Sequence, residues 1–153
     1  MDLYHFPANL FVAGLIGSPK MNFLAATLVS ASAQRTVVRL ANGQERTIAV
    51  DAADVEHGSS VTVGVRPEHL RLGDGENPLP ISIDYVECLG DATFLYAQAG
   101  GAAGGLIWRA PADLVAQAND HLVLNAPSDA CHLFDKNGRA FRRNFRFEQR
   151  AVM

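Results

Sequence analysis

The sequence has little of what catalysis, metal binding or membrane insertion requires. No apolar run approaches the roughly 20 residues that cross a bilayer, because the longest candidate, Leu10–Ile16, is far too short. No charged-then-apolar leader opens the chain. The 19% of charged residues and 48% of hydrophobic residues are typical of a globular protein rather than a disordered one. We therefore expect a soluble cytoplasmic polypeptide.

Cysteine and histidine are sparse and scattered. Cys88 and Cys131 lie in apolar, strand-like settings without a CxxC spacing, which favours two buried free thiols in a reducing compartment. No two histidines have the spacing of metal ligands with a third ligand nearby, so we expect no metal site. The histidines are His5, His57, His69, His121 and His132.

Lysine is rare, and no phosphate-binding loop is present. Such a loop is rich in glycine and ends on Gly-Lys-Ser/Thr, whose backbone N–H groups surround the phosphates. Lys20 follows Pro19 and Lys136 precedes Asn137, so neither lysine lies in such a loop. We therefore expect no catalytic residue, no bound cofactor and no enzymatic activity in this chain.

The patterns that are present favour β-structure. Short alternating segments recur at about 8–12 residues between Gly- and Pro-rich turns, which predicts an all-β barrel or sandwich. Asn42-Gly43 predicts a tight type I′ hairpin turn, and Lys136-Asn137-Gly138 predicts a second Asn-Gly hairpin. One short apolar helix is expected over Pro7–Ile16. The predicted strands are Asn22–Ser30, Arg35–Leu40, Glu45–Val50, Val61–Val65, Ile81–Leu89, Thr93–Gln98, Leu106–Arg109, Leu122–Asn125, Cys131–Phe134 and Arg139–Phe145.

The most distinctive stretch is Val61–Leu72, VTVGVRPEHLRL. Its first half alternates like a strand, and Arg66-Pro67 must end the ladder because proline has no N–H. Glu68 and His69 then place two more polar groups beside Arg66. We name Arg66–His69 the RPEH turn; its residue types alone also fit an ordinary strand exit with solvated or paired charges.

Three stretches resemble one known family. GVRPEHL resembles the hallmark of the transport-associated OB (TOBE) domain, the accessory C-terminal domain of sugar-importing ABC ATPases. Phe11–Leu24 resembles the junction between that family's nucleotide-binding and accessory domains, and Cys131–Arg143 resembles its closing hairpin. The resemblance is greatest to maltose/maltodextrin and glycerol-3-phosphate importer ATPases. It implies an OB-type barrel with an appended β subdomain, a nucleotide-binding-domain remnant over residues 1–20, and a regulatory domain over 21–150, in two β-rich halves split near 73–80.

The resemblance implies a non-catalytic regulatory and dimerisation domain of an importer's ATP-binding subunit. ATP and magnesium would belong to the missing nucleotide-binding domain. The implied partners are that domain, a second ATPase subunit, the membrane permease subunits and regulatory proteins; the implied location is the cytoplasmic side of the membrane. The candidate interface residues are Arg66, Pro67, Glu68, His69, Leu89, Gly90, Asp91 and Phe134, with Phe134 expected to point outward or to lie under tail aromatics.

Two other binding functions remain open. Barrels of this type also bind oxyanions, for which Lys20 after Gly17-Ser18 is a weak candidate. They also bind oligonucleotides, for which Phe141–Phe147 mixes aromatic and basic residues. That segment alternates like an edge strand with one charged face, and the net charge of −3 disfavours a nucleic-acid partner.

Overall fold

The computed structural model describes residues 7–15, 19–99 and 105–143, and these form an almost entirely β-structure. Its single described α-helix, α1, is Leu10–Leu15, and two single turns of 3-10 helix lie at Pro67–His69 and Ser128–Ala130. The strands are β1 Asn22–Ala31, β2 Thr36–Leu40, β3 Glu45–Ile48, β4 Val50–Asp51, β5 Ser60–Val65, β6 Arg71–Leu72, β7 Pro78–Cys88, β8 Thr93–Ala99, β9 Leu106–Ala110, β10 His121–Asn125, β11 His132–Phe134 and β12 Arg142–Arg143.

Two five-stranded antiparallel sheets enclose one core. Sheet 1 has the order β11-β5-β1-β2-β3, sheet 2 has the order β6-β10-β7-β8-β9, and β12 pairs separately with β4. Side chains from both sheets form one continuous hydrophobic cluster, including Leu24, Val63, Ile83 and Leu124. The predicted all-β, OB-type fold is confirmed. The chain passes from sheet 1 to sheet 2 between β5 and β6, whereas the predicted domain bounds stay a prediction.

The two Asn-Gly hairpins are present, but the predicted type I′ turn is wrong. Gly43 has a φ of +87° and Asn42 does not share a positive φ, although type I′ requires both. Gly43 N–H donates to Leu40 O at 2.9 Å, and Leu40 N–H donates to Gln44 O at 2.8 Å. This is a three-residue loop that ends on a left-handed glycine, and Gly138, with a φ of +82°, ends the second hairpin in the same way.

Strand β7 begins earlier than the sequence predicts. Pro78 and Pro80 lie inside the strand, where a loop is expected to extend to Pro80. In this part β7 pairs only with β10, because its pairing with β8 begins at Ile81. A strand with one neighbour has one free edge, so a proline there need not remove a ladder hydrogen bond.

Helix α1 begins later than the sequence predicts. Pro7 precedes it, and Asn9 caps it by accepting a hydrogen bond from Val12 N at 2.9 Å through its side-chain oxygen. The segment before the helix pairs with the closing hairpin, because Leu10 N donates to Gly138 O at 2.8 Å and Ala140 N to Ala8 O at 2.9 Å. The predicted end of the helix, Ile16, lies outside the described residues.

Two buried asparagines join the sheets. Asn77 accepts from Thr47 N at 2.8 Å and donates to Thr47 O at 2.7 Å and Ala126 O at 2.9 Å. Asn22 donates to Ile107 O and accepts from Ile107 N, both at 2.8 Å, and so links β1 to the edge of β9. Each side-chain amide donates one hydrogen bond to the backbone of a single residue and accepts one from it, as a paired residue in a β-sheet does, and so connects the two sheets.

Two smaller expectations differ from the structure. Cys88 is exposed, because it ends β7 on the solvent side, so the prediction of two buried thiols is right only for Cys131; both are free. In the last predicted strand, Arg142–Arg143 forms the short strand β12, Arg139 and Ala140 form isolated bridges to Asn9 and Phe134, and Asn144 and Phe145 lie outside the described residues.

Candidate functional site

The RPEH turn is built by the exit of β5 from sheet 1. Arg66 is extended, with φ −71° and ψ 143°, and Pro67–His69 form one turn of 3-10 helix that begins on the proline. His69 N–H closes the turn by donating to Arg66 O at 3.0 Å. Arg66 and Pro67 are buried, whereas Glu68 and His69 are half-buried. The turn therefore presents its second half to the surface.

The single tryptophan holds this turn against sheet 2. Trp108 lies in β9 with only 2% of its surface exposed, and its Nε1 donates to Leu70 O at 3.2 Å. A buried indole N–H needs such a partner. The bond therefore fixes the end of the RPEH turn to an edge strand of the other sheet. Trp108 is not among the residues that the sequence predicts for the site, although a lone tryptophan is a usable signal.

A groove of about 500 Å³ lies beside the turn. Its volume is within the range of small-ligand pockets. Glu68 from the RPEH turn and Asp91 from the Leu89-Gly90-Asp91 turn both line it, so the fold brings two of the predicted elements together. We name it the β6/β9 groove; it is lined by Glu68, Leu70, Arg71, Leu72, Asp91, Ala92, Trp108, Arg109, Ala110, Pro111 and Leu114.

The two arginines of the groove already have interactions within the chain. Arg71 Nη1 donates to Glu68 O at 2.8 Å and to Leu70 O at 3.1 Å. The guanidinium of Arg109 lies 5.9 Å from the ring centroid of Phe94, within the range of a cation–π contact. Both cations therefore support the walls of the groove.

The Leu89-Gly90-Asp91 segment forms the turn between β7 and β8. Gly90 has a φ of +87°, and Leu89 N–H donates to Ala92 O at 2.9 Å across the turn. Leu89 is 55% exposed and Asp91 is also exposed. An exposed leucine at a turn tip, close in sequence to a groove-lining aspartate, is compatible with an interface; that role stays a prediction.

Phe134 does not point outward, and this expectation is wrong. Its neighbours follow the predicted alternation: Cys131 and Leu133 enter the main core. The opposite face is covered, so Phe134 has 0% of its surface exposed and clusters with Ala13 of α1 and Met21. Helix α1 covers the ring through Ala13, whereas the tail aromatic Phe141 packs against the main core and Phe145 lies outside the described residues. Phe134 does not line the β6/β9 groove.

Gly64, the glycine of the hallmark stretch, makes room for this cluster. A Cβ atom at Gly64 would lie 2.5 Å from Met21 Sδ and 3.1 Å from Phe134 Cε2. The methionine can move, but the Phe134 ring also makes an edge contact with Phe23, with centroids 6.2 Å apart. The small residue therefore lets the aromatic ring lie flat against β5 beneath α1.

Replacing Gly64 by valine should lower the free energy of unfolding by about 1–3 kcal/mol, because the added methyl groups overpack the cluster. Urea unfolding measures the loss, and amide exchange at Ala13 should accelerate as α1 loosens. Thr62→Val, on the same face of β5, should change stability by less than about 0.5 kcal/mol. Unchanged stability in Gly64→Val would mean that the ring is not confined.

Burial perturbs two titratable groups outside the groove. Burial lowers the pKa of Arg46, whose Nη1 donates to Glu45 O at 2.6 Å and whose Nη2 donates to the carbonyl of Pro78 and to Gln44 Oε1. Burial, followed by the charge of Glu87, raises the pKa of Tyr96, whose hydroxyl donates to Glu87 at 3.3 Å. Arg46 connects β3 with the start of β7, so its role is structural.

The described residues contain no group of three His, Cys, Asp or Glu side chains that could hold a metal ion. In the same part of the chain no helix is long and apolar enough to cross a membrane.

Comparison with known families gives two overlapping matches. Residues 17–70 match the family described as the MalK OB fold domain, and residues 63–134 match the TOBE domain. The matches overlap over residues 63–70, which contain the RPEH turn. Together they extend over most of the two sheets.

Curated relatives agree with these matches. The maltose/maltodextrin import ATP-binding protein MalK of Vibrio vulnificus is 40% identical over 146 residues, covering 95% of this chain and 39% of the relative. The protein of the same name from Vibrio cholerae is 40% identical over 144 residues, covering 94% and 39%. That from Salmonella typhimurium is 35% identical with the same coverage. The chain thus spans about two fifths of the length of the curated relatives it matches.

A solved structure supports the fold. The cytoplasmic molybdate-binding protein ModG, in a molybdate-bound form, superposes with a TM-score of 0.64 and 13% identity, covering 73% of this chain and 94% of that chain. At this identity the similarity shows a shared fold and carries no ligand across.

Proposed function

Because this chain belongs to the family of MalK OB fold and TOBE domains, we propose that it is the regulatory, non-catalytic domain of a carbohydrate importer's ATP-binding subunit. The observation that carries this proposal is the pair of consecutive family matches over residues 17–134. The parent protein would couple ATP hydrolysis to sugar import at the cytoplasmic face of the membrane, together with permease subunits. Which sugar it carries would be decided elsewhere in the transporter.

The exposed apolar face of α1 supports a packing contact with an ATP-binding part. Phe11 is 74% exposed and Leu15 is 58% exposed, and these residues lie four apart on one helix face. The opposite side of α1 packs through Ala13 on the Phe134 cluster. A short helix that is apolar on both sides is suited to lie between two bodies. The ATP-binding part is the second body we propose, and it would hold ATP and magnesium.

The proposed domain also joins two ATP-binding subunits. In this proposal the Leu89-Gly90-Asp91 turn and the exposed half of the RPEH turn contact a second copy. Leu89 provides the exposed apolar surface, while Glu68 and His69 provide polar groups at its rim. Phe134 is excluded from this interface because α1 covers it. Arg66 and Pro67 would position the turn from beneath.

The alternative binding functions remain without support beyond the fold. Lys20 is exposed, and the neighbouring Gly17-Ser18 lies outside the described residues, so no oxyanion site can be assembled around it here. The predicted basic-aromatic segment lies mostly outside the described residues as well. The test below therefore includes both ligands.

We expect the purified chain to sediment as a dimer at micromolar concentration and to bind neither ATP nor molybdate nor single-stranded DNA. Leu89→Asp should convert it into a folded monomer, because an exposed charge harms an apolar contact and not the core; Val115→Asp, at a 96% exposed valine, is the matched control. Any ligand at about 100-fold excess over its Kd would stabilise the fold by about 2.7 kcal/mol. Nucleotide turnover, or stabilisation by molybdate or DNA, would contradict the proposal.

A further inference from the structure

Both edge strands of sheet 2 line the β6/β9 groove. The sheet order places β6 and β9 at opposite ends, yet Arg71 and Leu72 from β6 and Trp108 and Arg109 from β9 line the same groove. The sheet therefore curls until its two edges face each other. The groove is the gap that remains between them.

The free edge of β9 has backbone N–H and C=O groups that point away from β8. Ile107 N–H and C=O point away from β8, because both bond to the side chain of Asn22. Backbone orientation repeats every two residues in an antiparallel strand, and the β8–β9 register has no shift. Arg109 N–H and C=O therefore point the same way, and neither has a hydrogen bond to another described residue.

The free edge of β6 has a second set of such groups, the N–H and C=O of Leu72. Gly73 N–H donates to Val123 O at 2.9 Å, so position 73 faces β10. By the same alternation Arg71 also faces β10, and Leu72 N–H and C=O face away from it. In the part of the chain that the structure describes, these Leu72 groups have no hydrogen bond either.

We propose that the β6/β9 groove takes up an extended peptide of a partner protein as an additional strand. Such a strand would bond to Arg109 on one side and to Leu72 on the other, and would join the two edges of sheet 2. Strand addition to an open sheet edge is a general mode of peptide recognition, in which main-chain bonds supply affinity and side-chain pockets supply specificity. The apolar lining by Leu70, Leu72 and Leu114 selects a peptide with apolar residues at alternate positions.

The charges of the groove select basic residues at the other positions. Asp91 is exposed at its rim and makes no ion pair with a described residue, whereas Arg71 and Arg109 interact with carbonyls and a ring. The lining carries two carboxylates, Glu68 and Asp91, beside these two arginines. The unpaired carboxylate of Asp91 favours a basic residue of the peptide at its end of the groove. The inference rests on the proposed regulatory domain, and its groove shares Glu68 and Asp91 with the proposed contact to a second copy, so the two are tested separately.

The probe is a blocked ten-residue peptide of alternating valine and lysine, titrated into the whole chain while the emission of Trp108 is recorded. Trp108 is the only tryptophan and lines the groove, so binding should change its emission. In the complex, the amide protons of Leu72 and Arg109 should become protected against exchange. A peptide of alternating valine and glutamate should bind at least about tenfold more weakly.

Three variants and one oligomeric measurement test the assignment. Asp91→Asn should weaken binding about three- to tenfold, whereas Asp113→Asn, an exposed aspartate outside the groove, should not. Arg109→Pro removes the outward N–H and should weaken binding about fivefold; if this variant does not fold, exchange protection in the unaltered chain decides. Equal binding of the acidic peptide, or no protection at Leu72 and Arg109, would overturn the proposal. Peptide binding that is lost when the chain is diluted to a monomer would identify the second copy as part of the site and overturn the proposal too.

Discussion

Replacing Asn77 by alanine is expected to lower the free energy of unfolding by about 3–5 kcal/mol. Asn77 is 1% exposed, and its side chain makes three hydrogen bonds, two to Thr47 and one to Ala126. The substitution removes the Asn77 bonds from the half-buried N–H and carbonyl of Thr47 and leaves the buried Ala126 carbonyl with only a weak bond from Cys131 Sγ at 3.9 Å. A buried polar group that loses its partner costs about 1–3 kcal/mol. Domains of this size are stable by only about 5–15 kcal/mol in total. One side chain therefore accounts for a large fraction of the stability.

The position of Asn77 explains why its bonds cannot be replaced by small shifts. Thr47 belongs to β3 at the edge of sheet 1, and Ala126 directly follows β10 of sheet 2. The Asn77 main chain also takes part, because its N–H donates to Asn125 Oδ1 at 3.0 Å and its carbonyl accepts from Ala126 N at 3.1 Å. The loop before β7 is thus fixed to both sheets at once.

Thermal and urea unfolding of Asn77→Ala measure this effect, with an expected fall in Tm of about 10 °C. Asn42→Ala is the control, since Asn42 is exposed and bonds only within its own hairpin turn to Gln44; we expect a loss below about 1 kcal/mol. Asn77→Asp keeps the size and one acceptor but removes both donated bonds, so it should be destabilised as well. A loss no larger in Asn77→Ala than in Asn42→Ala would show that the loop does not join the sheets.

The sequence carries the strand pattern and not the links between sheets. Alternation in β5 and the loop glycines Gly43 and Gly138 are local signals, so the fold class and both hairpins could be predicted. The bonds of Asn77 to Thr47 and of Asn22 to Ile107 connect residues 30 and 85 positions apart. Asparagine in a loop or at a strand start is locally unremarkable, since it is common there in any fold. Only the three-dimensional arrangement distinguishes these two.

The residues of the β6/β9 groove could be predicted only in part from the sequence, for a related reason. Glu68 and Asp91 were selected because each lies at an exposed turn, and both line the groove. Trp108 and Leu72 were missed, because their importance comes from the curling of sheet 2, which brings its two edges to one place. That curvature depends on long-range pairing and on the irregularity between Ile83 and Tyr85 in the β7–β8 register. No spacing in the sequence indicates it.

Phe134→Asp is expected to unfold the chain or to lower its stability by more than the roughly 3–5 kcal/mol typical of Phe→Ala in a core. The ring is fully buried, stacks on His132 at a centroid distance of 6.4 Å and contacts Phe23 edge-on. A carboxylate in this place would lose its hydration without gaining a cation. The opposite expectation, a folded monomer, follows from reading the strand alternation as an outward orientation.

The burial of Phe134 depends on α1, and this dependence gives the sharper test. Ala13→Asp, on the buried side of the helix, should destabilise the same cluster, whereas Phe11→Asp, on the exposed side, should leave unfolding nearly unchanged. Ala13 and Phe134 belong to one cluster. The double variant Ala13→Asp with Phe134→Ala should therefore lose less free energy of unfolding than the sum of the two single variants. A folded Phe134→Asp monomer with an unchanged Tm, together with full additivity, would mean that α1 does not cover the ring and that the strand's outer face is free to bind a second copy.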